Sequence, residues 1–330
     1  MAQEQKENLP AKSDISGSGH KKPSPPKIKN MEEGLKGKKE IPGLITLYQD
    51  TATGKMSMVL KNDQLGKEFI YFVHARDGQR NSGVLRGVYR GSKIITLNRY
   101  FNRIEFEIQN HSFYFDPDNP LSRASDANIS TAILASEFIV AQSDSVVMID
   151  VDNVFLTEAL QQITRGIIPG SPNKNPFKLG RLIKNRSKYT SIKNYPENTD
   201  ISVQYVYNNP TPTNWGSDKG LTDARSVNVA LQHSFIAVPE NNYQPRFEDP
   251  RVGYFTTQVT DMTEPEDVTP FRDLIHRWHL VQKHPEQFVS DPVEPIVWWI
   301  ENTTPHEFRD AIKDGVLAWN KAFEKAGFNN

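Results

Sequence analysis

Alternation of apolar and polar positions with a period of two begins at Leu44 and recurs to Ile236, which predicts strands with one buried and one wet face. Leu44 to Tyr48 and Met56 to Leu60 flank Asp50-Thr51-Ala52-Thr53-Gly54 and predict a hairpin. Further strands are predicted over Phe69 to Val73, Val84 to Tyr89, Ile94 to Leu97, Arg103 to Ile108 and Ser112 to Phe115. Ile104, Phe106 and Ile108 alternate with Glu105 and Glu107, the pattern of an antiparallel sheet with one solvated side. Asp116-Pro117-Asp118-Asn119-Pro120 is a strong turn and a subdomain boundary near 116–120. Beyond it, Phe138 to Ala141 and Val146 to Val151 read as a strand pair, Val154 to Ile163 as a short helix, and Ile201 to Tyr207 and Ser226 to Ile236 as strands.

The period changes near the end. Ile296-Val297-Trp298-Trp299-Ile300 is a short β-branched and aromatic run that predicts a buried strand. Thr304-Pro305-His306-Glu307 has the form of a capping box with proline at the first helical position. Phe308, Ala311, Ile312, Val316, Trp319, Ala322 and Phe323 then recur at steps of three and four, one apolar stripe of a helix that Gly327 ends in a left-handed conformation, with Phe328 folding back on Phe323. A strand feeding an amphipathic helix is the opening of an α/β domain. Without partners for Ile296 to Ile300, Phe308, Trp319 and Phe323 are expected either to pack on the β-rich part or to leave an exposed apolar patch.

The fold class expected is therefore α+β: a leader over 1–41, read as disordered; β-rich antiparallel material over 42–258; a linker over 259–292, with its hinge at Asp261 to Pro270; and an α/β opening over 293–330. The leader carries prolines, serines, glycines and lysines without apolar periodicity, too little apolar surface to offset chain entropy.

Composition narrows the chemistry. A net charge of -1 excludes a global field toward nucleic acid or anionic membrane, and zero cysteines exclude thiolate metal sites, cysteine nucleophiles and a disulfide scaffold. No run approaches the roughly 18 apolar residues of a membrane span, so no transmembrane segment is expected. No signal-peptide core follows Met1, although Ala2-Gln3-Glu4 resembles residues just after a signal cleavage site. Residues 159–196 hold no acidic residue but carry Arg165, Lys174, Lys178, Arg181, Lys184, Arg186, Lys188 and Lys193. This basic loop region is a polyanion site, a docking surface or a solvated loop; with no aromatic ladder, no nucleic-acid partner is expected.

Several blocks together resemble one family. Val229-Ala230-Leu231-Gln232-His233-Ser234-Phe235-Ile236, Asp249-Pro250-Arg251-Val252-Gly253-Tyr254-Phe255, Arg277-Trp278-His279-Leu280, Pro292-Val293-Glu294-Pro295-Ile296-Val297 and the run from Gly315 to Phe328 resemble bacterial zinc-dependent metalloproteases in which β-rich N-terminal domains precede a metzincin-like peptidase domain. The resemblance implies an exported, periplasmic or cell-envelope enzyme that hydrolyses peptide bonds of peptide or protein substrates through a zinc-activated water. It also implies an H-E-x-x-H helix after this point. The chain contains no such motif, so it is expected to be the non-catalytic N-terminal portion, with no catalytic, cofactor-binding or metal-ligating residue of its own and zinc only in the full-length protein. The alternative from another class is a β-rich binding or structural module that uses 159–196 to hold a surface polymer or protein partner.

Individual residues are read accordingly. His276, His279 and His284 form the only dense histidine cluster, either metal ligands or histidines of the link, and the resemblance favours the link. His74, His111 and His233 read as isolated. Asp249, Arg251 and Arg246 make either a carboxylate clamp or an internal salt-bridge network, and Gly253 a close backbone approach or a positive φ. His306 and Glu307 are explained by helix capping.

Overall fold

A computed structural model describes residues 27–163, 177–212, 219–263 and 271–329. In chain order the strands are β1 (Lys29–Asn30), β2 (Lys38–Ile41), β3 (Thr46–Asp50), β4 (Met56–Lys61), β5 (Glu68–Asp77), β6 (Tyr89–Tyr100), β7 (Arg103–Ile108), β8 (Phe113–Tyr114), β9 (Ala132–Gln142), β10 (Val146–Asp150), β11 (Arg181–Leu182), β12 (Lys188–Asn194), β13 (Asn198–Asn208), β14 (Ser226–Ala237), β15 (Thr256–Asp261) and β16 (Phe271–Ile275). The helices are α1 (Met31–Leu35), α2 (Asp152–Phe155), α3 (His306–Leu317) and α4 (Asn320–Lys325). The chain divides into two compact units, residues 1–109 with 131–238 and residues 110–130 with 239–330.

The first unit is a 13-stranded sheet in the order β11-β13-β14-β5-β6-β7-β9-β10-β4-β3-β2, with β12 also on β13 and β1 on β9. All pairings are antiparallel except the short β1–β9 contact. The sheet curls almost into a barrel. Its two ends are stitched by Leu44 N–H to the Tyr195 carbonyl (2.6 Å), by Asn194 Nδ2 to the carbonyls of Ile41 and Ile45 (2.8 Å each), and by Ile45 N–H to Thr199 Oγ1 (3.1 Å). Alternation decides what is inside: Leu47, Met58, Tyr71, Ile95, Phe106, Ile149, Tyr205 and Phe235 all belong to one buried cluster.

Several predicted elements take a different form here. From Lys27 on, the expected disordered leader is ordered: Asn30 Oδ1 caps α1 through Glu33 N–H (2.8 Å), and Met31 and Leu35 pack on Val59, Ala141 and Met148. Residues 1–26 lie outside the described part. Val84 to Tyr89 is mostly loop rather than strand, because Gly83 and Gly87 take φ of 72° and 80° and turn the chain there. The expected helix over 154–163 stops at Phe155, where the Thr157 hydroxyl bonds the Asn153 carbonyl, while Leu156, Leu160 and Ile163 continue into the core. The basic loop region instead supplies β11 and β12, its part over 164–176 lying outside the described residues.

The second unit contains a three-stranded sheet, β16-β15-β8, in which β15 and β8 run parallel. Ser112 to Phe115, expected in the meander, belongs to this sheet, and the expected linker over 259–292 carries part of β15 and all of β16. Of the hinge at Asp261 to Pro270, Asp261 ends β15 and residues 264–270 lie outside the described part. The predicted strand over Ile296 to Ile300 does not form. The single helix predicted after Thr304 occurs as α3 and α4, separated where Trp319 N–H bonds Val316, three residues back (3.2 Å).

Candidate functional site

The two ends of α3 and α4 are fixed locally. No side chain caps α3; instead Glu301 binds Thr303, and Arg309 turns back to the carbonyls of Asn302 (2.8 Å) and Thr304 (3.0 Å), so the expected Thr304–Glu307 box is replaced. At the other end Gly327 has φ 93°, its N–H bonds the Glu324 carbonyl and Phe328 N–H bonds the Phe323 carbonyl (2.9 Å), the paired bonds of a left-handed helix stop. Gln282 Nε2 binds the Gly327 carbonyl (2.7 Å), and the buried Ser290 exchanges backbone bonds with Gly327 and Asn329 while its hydroxyl takes His284 N–H.

Between those anchors the helices are bare. Neither α3 nor α4 buries a single residue. Phe288 is 93% exposed, Trp299 90%, Trp319 68% and Trp298 67%. An open groove of about 350 Å3 runs along Ala318, Trp319, Lys321, Ala322 and Lys325. Soluble proteins rarely leave large aromatic side chains this exposed, and a helix of 12 residues is marginal without tertiary packing.

The histidines of the second unit do not converge. His276 Nε2 meets Thr257 Oγ1 (2.8 Å), His279 Nε2 meets Asn242 Oδ1 (3.1 Å) with its ring edge-on to Tyr243, and His284 lies 3.4 Å from Glu286. Each is engaged elsewhere, and among the described residues no group of three His, Asp or Glu side chains is placed to hold a metal. Asp249 and Arg251 form an exposed local pair (2.6 Å) within one turn, with the arginine holding the carboxyl below its ordinary value; Arg246 contributes its carbonyl to Ile275 N–H (3.0 Å). Gly253 has open space around it and an ordinary φ, so neither reason proposed for it applies. His306 begins α3 and is exposed, like Glu307.

Two polar clusters are invisible to sequence reasoning. In the second unit Asp261, 4% exposed, pairs with Arg272 (2.5 Å), whose guanidinium lies over Tyr114 (4.3 Å) and Phe247 (5.4 Å). Burial alone would raise the Asp261 carboxyl, but the Thr263 hydroxyl and amide and Arg272 outweigh it and hold it below its usual range. In the first unit His233 is buried between two tyrosines, 2.6 Å from the Tyr71 hydroxyl at Nδ1 and 2.7 Å from the Tyr205 hydroxyl at Nε2. A neutral imidazole donates from one nitrogen and accepts at the other, so one tyrosine donates to it and the other accepts. Desolvation pushes the His233 pKa down to about 3 and raises both phenols above their ordinary range. His233, read from sequence as isolated, lies on the inner face of β14, but its two partners come from other strands, and no local signal pairs them.

Six basic residues of the β11–β12 edge, Lys178, Arg181, Lys184, Arg186, Lys188 and Lys193, are all exposed, with Lys184 bound to Asn153. Among the described residues none of the six forms an ion pair closer than 4 Å.

The fold defines a class: an antiparallel, nearly closed, barrel-like β protein followed by a smaller second unit. A family model described as a domain of unknown function, DUF5117, matches residues 89–283, more than half of the chain, and the chain belongs to that family. No curated protein and no solved structure matches it.

Proposed function

We propose that this chain is the non-catalytic N-terminal portion of an exported zinc-dependent metallopeptidase with a metzincin-like catalytic domain. Its H-E-x-x-H helix lies beyond residue 330 and supplies the zinc ligands. The observation that carries this reading is the bare α3–α4 surface: Phe308 on α3 and Trp319 at the junction with α4 face solvent, and neither helix buries a residue. Such a surface is half of a core, and in an α/β domain the other half is a sheet. The blocks from Pro292 to Val297 and from Gly315 to Phe328, which resemble the run into that catalytic domain, coincide with it.

The reading assigns these residues no step of peptide hydrolysis. Expected for the purified 330-residue chain are sub-stoichiometric zinc and no cleavage of a mixed peptide library. Near-stoichiometric zinc that is lost in His276→Ala/His279→Ala, with chelator-sensitive cleavage, would place the active site in this half and overturn the proposal. The encoding gene gives a second check, since the reading requires H-E-x-x-H downstream of Asn330.

One observation favours a second reading, a β-rich binding module with no enzyme attached: the exposed basic edge of β11 and β12, which forms no ion pair with another described residue. A downstream sequence without H-E-x-x-H would leave that module as the better account.

A further inference from the structure

The outer face of the first sheet carries an array that neither edge protection nor core packing explains. Residues opposite each other in antiparallel strands project from the same face. Tyr205, His233 and Tyr71 point inward, so their strand neighbours lie on the opposite face, where Gln204, Gln232 and His74 are half-buried, Ser202 and Ser234 are buried, and Asp200, opposite Lys193, adds one carboxylate. Lys188 of β12 stands opposite Gln204 of β13; one step along, Ser202 of β13 stands opposite Gln232 of β14, which stands opposite His74 of β5. Arg76 is the extra residue where β5 bulges against β14, and the bulge aims its guanidinium across the face to Ser202 Oγ (3.3 Å). At the far side Phe72 packs on Tyr89 with ring centroids 5.4 Å apart, and Tyr89 is 57% exposed. From β12 to β6 this face spans five neighbouring strands, about 19 Å at the usual strand spacing.

Lysines on an exposed edge guard against strand pairing, and that accounts for Lys188. It does not account for two side-chain amides, a re-aimed arginine and an aromatic pair further into the sheet. Amides offer donors and acceptors together, the requirement for vicinal hydroxyls. Arginine and lysine match carboxylate or sulfate. An aromatic ring with one polar tip gives an apolar surface beside a hydrogen-bonding group, which suits the C–H face of a pyranose. A single-stranded nucleic acid would call for aromatics under successive bases, whereas here the rings gather at one end.

We propose that this outer face binds an acidic polysaccharide laid across β12, β13, β14, β5 and β6, with Lys188 and Arg76 on its anionic groups, Gln204 and Gln232 on its hydroxyls, and a sugar ring over Tyr89. The assignment is independent of any peptidase downstream, and it names a chemistry for a polymer held by this unit.

The probe is alginate, a polyuronate, in native affinity electrophoresis of the 330-residue chain, with dextran and an oligodeoxythymidine strand alongside. Alginate retards the protein and high salt weakens the effect; dextran and the oligonucleotide leave mobility nearly unchanged. Arg76→Ala/Lys188→Ala weakens alginate binding about tenfold or more, the worth of one charge-assisted hydrogen bond. Tyr89→Ala also weakens it, whereas Tyr89→Trp retains it and serves as the control for folding. Arg181→Ala/Arg186→Ala, on the basic edge, changes it little. Three results each overturn the assignment: no retardation by alginate, equal retardation by the oligonucleotide, or binding lost in the edge variant and kept in the Arg76/Lys188 variant.

Discussion

The two units hold themselves together by different means. In the first, strand alternation drives a long list of aliphatic and aromatic side chains into one interior, and the few buried polar groups, such as His233, find partners there. In the second, the buried described residues are Val259, Asp261 and Ser290, two of the three polar. Its large apolar side chains, among them Phe288, Trp299 and Trp319, point outward. Apolar content therefore does not decide whether a segment builds a core; what matters is whether the chain supplies a second layer to close over it.

Replacing buried aromatics against bare ones gives the largest contrast. Phe106→Ala, in the first unit's core, should cost about 3–5 kcal/mol, whereas Phe308→Ala in α3 should stay within about 0.5 kcal/mol, both read from urea unfolding. A comparable loss in both would show that α3 is packed, and the contrast would fail. Next in size is Asp261→Ala, which removes the partner of Arg272. Arg272 is 34% exposed, so the cost is set below that of a fully buried pair, at about 2 kcal/mol. Hydrogen exchange should show it confined to β15 and β16, leaving β5 and β14 protected.

Acid acts on the two units differently. His233 has a folded pKa of about 3 against roughly 6.5 when unfolded, so the unfolded chain takes up the extra proton first. The stability of the first unit is full above the unfolded value and falls as pH drops between the two, by up to about 1.4 kcal/mol per pH unit. Asp261 has a lowered carboxyl, so its contribution is present above the unfolded carboxyl value and is lost only as pH falls through the folded one. The first unit should begin to weaken at milder acidity than the second. His233→Gln should abolish the loss in the mildly acidic range, as followed by hydrogen exchange at several pH values; an unchanged pH profile would remove His233 as the cause. Smallest of all, Asp249→Asn should leave unfolding nearly unchanged, because that pair with Arg251 is local and solvent-accessible.

Sequence and structure agree where the causes are local. Period-two alternation located β3, β4, β5, β7, β10, β13 and β14 to within a few residues, and Gly327 marked the end of α4. What was illegible depended on distant partners. Nothing near Ser112 to Phe115 indicates that β8 pairs parallel with β15, 147 residues on by register, and the apolar run Ile296 to Ile300 reads as a strand only if a neighbour is supplied. The basic stretch looked like loop because its lysines hide the inward positions of Tyr189 and Ile192, which the bulge at Thr190 spaces three apart. For the candidate site, the exposed patch was foreseeable from the helix stripe without a partner, whereas the outer-face array requires the register of four strand pairs.

The most direct test concerns the α3 surface. Backbone hydrogen exchange would be measured on Phe308 to Leu317 in this chain and in one extended through the downstream coding sequence. Rapid exchange is expected here and strong protection in the extended chain, with blue-shifted emission of Trp298, Trp299 and Trp319 and stoichiometric zinc only in the extended form. Equal exchange of α3 in the two forms, or protection already complete in this one, would contradict that expectation.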